Sequence, residues 1–184
     1  AKVIEMCQEH IPTLADKLGQ DKRLTIAPDD ASRIIREARD LDVILVDSSD
    51  PVGPSEALFE AEFFRELHAA LAPGGITALQ AGSPFLGPDQ VAKMAVDLKS
   101  FFPVVHLIPI PVPSYPGGPW CLALAMKSDW NPRADGGETL RKRFKERGLE
   151  GQTNYLTPGM LGPCFEVPAF LMKAYQRFRS TVPV

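Results

Sequence analysis

Residues 43–54 constrain the fold more than any other part of the chain. Their sequence, VILVDSSDPVGP, starts as a short β-branched apolar run and continues as a loop that carries two carboxylates and is stiffened by proline and glycine. The apolar run is typical of a buried strand. In an open α/β sheet, ligands bind beyond the carboxyl ends of the strands, so Asp47 and Asp50 would face a crevice and suit a cationic amine. The alternatives are that Asp47 caps a following helix and that Asp50-Pro51 only starts a turn. The residues alone leave both interpretations open.

Strand and helix patterns alternate along the chain. The patterns predict helices over residues 2–18, 31–38, 56–71 and 90–102, and strands over residues 24–27, 43–46, 76–80, 104–108 and 120–126. This alternation indicates a doubly wound α/β sheet, in which the last apolar run is an antiparallel partner. We interpret the basic segment 128–151 as a solvated helix face.

Composition narrows the class of protein. The chain has 184 residues, of which 45% are hydrophobic and 23% charged, so we expect one domain over residues 1–184. A net charge of −3 offers no basic surface for nucleic acid, and no apolar stretch reaches the roughly 20 residues that span a bilayer. The three cysteines and three histidines are scattered without metal-ligand spacing. We therefore expect a cytoplasmic protein without a bound metal.

Several motifs together resemble a known family. They are the loop from Asp47 through Ser48, Ser49 and Asp50 to Pro54, the Pro73-Gly74-Gly75 sequence, Gln80 at a strand end, and the Pro113-Ser114-Tyr115-Pro116-Gly117-Gly118 loop. The set closely resembles the signature of spermidine synthases and related aminopropyltransferases. The resemblance implies a Rossmann-like doubly wound sheet of the S-adenosylmethionine-dependent methyltransferase type.

The resemblance also implies an activity and a set of site residues. Enzymes of this family transfer an aminopropyl group from decarboxylated S-adenosylmethionine, a co-substrate, to putrescine. The attacking amine must be unprotonated, and an alkylammonium with a pKa of about 10.4 costs roughly 4 to 5 kcal/mol to deprotonate at pH 7. Asp47 matches the family's proton acceptor, and a carboxylate shielded from water accepts a proton more readily. The remaining amine-binding positions would be Ser48, Ser49, Asp50, Gln80 and Tyr115.

The resemblance places adenine recognition at the start of the second predicted helix. Asp30 is the better match for the acid that recognises the adenine amino group, with Asp29 and Ala31 beside it. Asp30 could equally cap the helix that starts at Ala31, because aspartate is a preferred N-cap residue. The two roles are compatible.

The chain starts at Ala1 inside a helical pattern, so we expect it to be incomplete at its N-terminus. By resemblance, the missing parts would be a β-rich domain, a glycine-rich cofactor loop and a ribose-binding acid. When complete, the protein would form a homo-oligomer, a dimer or a tetramer. Two alternatives remain open: an enzyme similar to putrescine N-methyltransferase, and a catalytically inactive truncated chain.

Overall fold

The computed structural model describes residues 2–15, 20–115 and 117–180. The chain divides into two compact units, Ala1–Ile34 and Ile35–Val184. The expected organisation as a single domain stays a prediction.

The larger unit contains a sheet of four described strands with helices packed against it. The strands are β1 (Leu41–Val46), β2 (Leu71–Gly82), β3 (Val104–Pro111) and β4 (Pro119–Met126). Numbered along the whole chain, its helices are α4 (Ala61–Ala70), α5 (Pro88–Lys99), α6 (Glu138–Glu146) and α7 (Ala169–Arg179). Three short 3₁₀ segments cover Gly53–Phe59, Pro158–Met160 and Pro163–Phe165. The predicted α/β class is confirmed.

The strand order β1-β2-β4-β3 makes β2 and β4 the central strands. β1 runs parallel to β2, with Val46 opposite Leu79. β4 is antiparallel to β2 and to β3, which confirms the antiparallel partner predicted over residues 120–126. Because β1 and β2 are parallel, their carboxyl ends lie at the same end of the sheet.

The core of this unit lies between the sheet and α4 and α5. Phe64, Leu67 and Leu98 have 0% exposure, and they pack with Leu79 of β2 and Ala123 of β4. Alternate residues of β4 are fully buried because side chains alternate between the two faces of a strand. This packing holds the two central strands in place against the helices.

The smaller unit differs from the sequence prediction in two places. The predicted helix over residues 2–18 is divided into α1 (Lys2–His10) and α2 (Pro12–Ala15), because Pro12 has no N–H to continue the first helix. Residues 16–19 of that prediction lie outside the described residues. The predicted strand over residues 24–27 is wrong, since this segment has no strand pairing and leaves Leu24 and Ile26 exposed. The third helix, α3 (Ala31–Glu37), has residues in both units and matches its prediction.

The long helix predicted over residues 56–71 is also wrong at both ends. The chain forms the 3₁₀ segment Gly53–Phe59, is extended at Glu60 with φ −93° and ψ 153°, and only then forms α4. Leu71 already belongs to β2, and it is buried at 2% exposure. The apolar period continues across these breaks because both segments pack on the same core.

Arg141 contradicts the interpretation of residues 128–151 as only a solvated face. Its Nη1 donates to the carbonyl oxygens of Gly136 and Leu161, at 2.9 and 2.8 Å. The neighbouring Arg143 lies over the ring of Trp130, 4.9 Å from the centroid. The basic segment therefore holds the C-terminal loops as well as facing water.

In the described part of the chain, no helix is both long enough and apolar enough to cross a membrane. Nor do the described histidine, cysteine and acidic side chains form any group of three that could hold a metal ion.

The core predicts the effect of one substitution. Phe64→Ala removes a fully buried ring, so we expect the free energy of unfolding to fall by about 3 to 5 kcal/mol. Leu45→Ala is the control, because Leu45 is 76% exposed and its removal should change stability by less than about 0.5 kcal/mol. Urea unfolding followed by circular dichroism measures both. Equal losses for the two variants would contradict this assignment of the core.

Candidate active site

The loop after β1 is a short, internally bonded turn. The Val52 N–H donates to the Asp50 carbonyl at 2.7 Å, and the Gly53 N–H donates to Oε1 of Glu56 at 3.1 Å. The Ser49 hydroxyl bonds the Ser55 hydroxyl at 2.5 Å. Gly53 has φ +62°, a left-handed conformation that favours glycine. These contacts define the path of the backbone that carries both carboxylates.

The second loop of the site joins β3 to β4. The Val112 N–H donates to the Gly118 carbonyl, and the Tyr115 N–H donates to the Val112 carbonyl, both at 3.0 Å. The Tyr115 ring meets the Trp120 ring edge-on, with centroids 4.6 Å apart and planes at 60°. Pro116, part of the motif in this loop, lies outside the described residues.

The two loops and the adjoining ends of β2, β3 and β4 line one cavity of about 470 Å³. It is lined by Asp47, Ser48, Ser49, Asp50, Gln80, Ile110, Val112, Tyr115, Trp120 and Leu122. All six residues predicted to bind the amine are therefore brought together, although they come from three separate segments of the sequence. Asp29, Asp30 and Ala31 are not among the lining residues. The cavity combines carboxylates at the β1 loop with apolar and aromatic walls from β3, β4 and the loop between them.

Gln80, near the carboxyl end of the central strand β2, connects the sheet to the loop after β1. Its side chain is only 8% exposed. Its Oε1 accepts from the Trp120 indole N–H at 3.0 Å, and its Nε2 donates to the Ser49 carbonyl at 3.4 Å. Gln80 thus bonds a backbone carbonyl with one end of its buried amide and a site side chain with the other.

Asp47 and Asp50 are exposed, whereas the expected chemistry favours a proton acceptor shielded from water. The reason is their position. β1 is an edge strand of the described sheet, so the loop that follows it has a neighbouring strand on one side. The two aspartates are therefore open to solvent while they line the cavity.

The sequence did not single out Trp120, Ile110, Val112 or Leu122 as site residues. Trp120 and Leu122 lie two residues apart on β4, so their side chains share one face of the strand, and Leu122 pairs with Gln80. The sequence did predict β4 as an antiparallel strand, which was a signal that its residues adjoin the site. The sequence did not predict the register that places Trp120 beside Gln80.

Asp30 has the capping contact that was its alternative role. Its Oδ1 accepts from the Ser32 N–H at 2.9 Å, and its carbonyl accepts from the Ile34 N–H at 3.1 Å. Asp29 forms an ion pair with Arg33, which lowers the pKa of the Asp29 carboxyl. Recognition of adenine by Asp30 stays a prediction, and a capping contact to one oxygen does not prevent it.

A second, smaller cavity of about 240 Å³ lies beside β3 and α7. Oδ1 of Asn131 accepts from the Arg133 backbone N–H at 3.0 Å and lies 2.9 Å from Nε2 of His106. Because Asn131 presents its oxygen, the Nε2 of His106 carries the proton. Burial lowers the pKa of His106, which favours the neutral ring.

Comparison with known proteins identifies the family. A family model described as "Spermine/spermidine synthase domain" matches residues 1–134. The chain belongs to the spermine/spermidine synthase family. Similar relatives are polyamine aminopropyltransferases of Pseudomonas syringae pv. tomato, 33% identical over 178 residues, and of Moorella thermoacetica, 33% identical over 174 residues. These alignments cover 96% and 94% of this chain but 61% and 58% of the two relatives. The chain therefore spans about three-fifths of the length of these relatives.

Solved structures of spermidine synthases share the fold. A spermidine synthase in complex with the transition-state analogue AdoDATO matches with a TM-score of 0.81 at 22% identity. The spermidine synthase of Thermotoga maritima matches with a TM-score of 0.79, also at 22% identity. Each match covers 96% of this chain, and 59% and 58% of the two structures. The likeness supports the Rossmann-like, methyltransferase-type fold expected from the family resemblance.

The site loop predicts an effect at Gly53. An added Cβ would meet no atom within 4 Å, so Gly53→Ala should destabilise the chain only through its φ of +62°, by about 1 to 2 kcal/mol. Gly159→Ala is the matched control, because Gly159 has no positive φ and room for a methyl group. Urea unfolding of both variants tests this. A Gly53→Ala variant as stable as the control would show that the loop does not need the left-handed conformation.

Proposed function

We propose that this chain takes part in polyamine biosynthesis by aminopropyl transfer, and that the cavity described above binds the acceptor amine. The observation that carries the proposal is the meeting of Asp47, Asp50 and Tyr115 in one cavity of a chain that belongs to the spermine/spermidine synthase family. The acceptor is putrescine or a similar polyamine, and the donor is decarboxylated S-adenosylmethionine.

The chemistry is an in-line displacement at carbon. The amine nitrogen forms a bond to the aminopropyl carbon, while the bond from that carbon to the sulfonium sulfur breaks. The electron pair stays on sulfur, which leaves as neutral methylthioadenosine. Asp47 accepts the proton that the amine must lose, and the product is spermidine.

The other lining residues bind and orient the acceptor. The Asp50 carboxylate pairs with the ammonium form of the amine and compensates its charge. The rings of Tyr115 and Trp120 and the side chains of Ile110 and Leu122 offer apolar walls for the alkyl chain. Ser48 and Ser49 contribute hydroxyl groups that can bond the amine.

The donor side of the reaction rests on other residues. We assign recognition of the adenine amino group to Asp30, with Asp29 and Ala31 beside it, by their match to the family. Aminopropyl transfer is favoured over methyl transfer, and over an inactive chain, by the names of the relatives, which are polyamine aminopropyltransferases. Self-association into a dimer or a tetramer and a cytoplasmic location stay predictions.

Product analysis tests the reaction. The protein that carries this chain is incubated with putrescine and either decarboxylated S-adenosylmethionine or S-adenosylmethionine, and the products are identified by mass spectrometry. We expect spermidine and methylthioadenosine from the first donor and no methylated putrescine from the second. N-methylputrescine without spermidine would overturn the proposal in favour of methyl transfer.

Asp50→Asn should weaken putrescine binding about 10-fold, because the amide removes the charge that compensates the ammonium. Titration calorimetry of the 184-residue chain measures the dissociation constant. Asp42→Asn is the matched control, since Asp42 is an exposed aspartate on β1 that does not line the cavity. If both variants bind putrescine as tightly as the unchanged chain, Asp50 is not the charge partner.

Asp47→Asn should lower kcat by about 100-fold or more, because the amide cannot accept the proton of the amine. Initial rates of spermidine formation in the protein that carries this chain measure the change. The KM for the adenosyl donor should stay the same, since Asp47 acts on the acceptor side. A near-normal kcat would remove Asp47 from the role of proton acceptor.

A further inference from the structure

The indole N–H, the Gln80 amide and the Ser49 carbonyl connect Trp120 to the loop after β1. The Trp120 indole N–H donates to Oε1 of Gln80 at 3.0 Å, and Nε2 of Gln80 donates to the Ser49 carbonyl at 3.4 Å. Ser49 lies directly before Asp50, so this carbonyl belongs to the peptide unit that joins the two residues. The indole is thus connected through one side chain to the backbone of a charged site residue.

Only one assignment of donors and acceptors satisfies both hydrogen bonds. An indole N–H can only donate and a backbone carbonyl can only accept, so Gln80 must turn its oxygen to Trp120 and its amide nitrogen to Ser49. A flipped amide would place donor against donor at Trp120 and acceptor against acceptor at Ser49. Because Gln80 is only 8% exposed, water cannot readily replace a lost partner.

The bond to Ser49 depends on how Gln80 is held. At 3.4 Å it is longer than the usual 2.9 to 3.0 Å for such bonds, so a small rotation of the amide breaks it. The indole N–H at the other end opposes that rotation. Trp120 also contacts the Tyr115 ring, so one side chain supports both loops of the cavity.

We propose that Trp120 is a positioning residue that holds the Ser49–Asp50 peptide in place through Gln80 and thereby sets where Asp50 meets the amine. Its effect on amine binding rests on the function proposed above, whereas its effect on the peptide does not. Trp120→Phe keeps an aromatic ring beside Tyr115 and removes the N–H donor together with the five-membered part of the indole.

Nuclear magnetic resonance of the 184-residue chain tests the connection itself. The chain has two tryptophans, so Trp130→Phe is the matched control and assigns the second indole signal. We expect Trp120→Phe to move the backbone amide signal of Asp50, and Trp130→Phe to leave it unchanged. Gln80→Met, which keeps the side-chain length and removes both polar atoms, should move the Asp50 amide signal and the Trp120 indole signal.

An Asp50 signal that stays in place in Trp120→Phe, or moves equally in Trp130→Phe, overturns the proposal. If Trp120→Phe does not fold, the Gln80→Met spectrum decides alone. Movement of both the indole and the Asp50 signals supports the connection, and a fixed Asp50 signal overturns it.

A double-mutant cycle with putrescine tests whether the indole acts through Gln80. We expect Trp120→Phe alone to weaken putrescine binding about 5-fold, and to change it by less than about 2-fold when Gln80→Met is already present. An equal loss in both backgrounds would mean that Trp120 affects the amine only as part of the cavity wall and not through Gln80, and would overturn the positioning role. If the unchanged chain binds no putrescine, the proposed function fails while the spectra still decide the connection between Trp120 and the Ser49–Asp50 peptide.

Discussion

The pairing of β2 with a strand on each side is the interaction on which the site depends. On one side, the parallel pairing of Val46 with Leu79 brings the loop after β1 next to the end of β2. On the other side, the antiparallel pairing of Gln80 with Leu122 brings the start of β4 to the same end of the sheet. The register shifts between Gln80 and Gly82, where the pairing moves to Cys121. Backbone hydrogen bonds of one strand thereby assemble groups from distant parts of the sequence.

The site joins a buried polar scaffold to an exposed charged loop. Gln80 is buried and bonded at both ends of its amide, whereas Asp47 and Asp50 are exposed. This division has a physical basis. A neutral amide can be buried when its hydrogen bonds are made, but a carboxylate loses far more solvation on burial and needs a charged partner. In the proposed function the ammonium of the acceptor is that partner, so the loop carries charge that water solvates until the amine arrives.

Local sequence signals predicted those elements whose residues depend mainly on their neighbours. The strand over residues 43–46 and the helix over residues 31–38 follow their predictions closely, and so does the antiparallel run over residues 120–126. The failures have a different cause. The helix predicted over residues 56–71 has a continuous apolar period, yet the chain is extended at Glu60 and Leu71 joins β2, since packing on the core outweighs the local period. The strand predicted over residues 24–27 has suitable side chains, but a strand also needs a partner, which sequence periodicity does not report.

The sequence by itself determined the carboxylates and most of the other polar groups of the site. The order of Asp47, Ser48, Ser49 and Asp50 after an apolar strand, together with Gln80 and Tyr115, suggested the family, and the resemblance implied an amine site. Only the tertiary structure decided that these groups line one cavity, that both carboxylates are exposed, and that Trp120 bonds Gln80. The physical reason is distance along the chain. Trp120 and Gln80 are forty residues apart and meet through the register of two paired strands, a property of backbone pairing that the residues of neither strand specify alone.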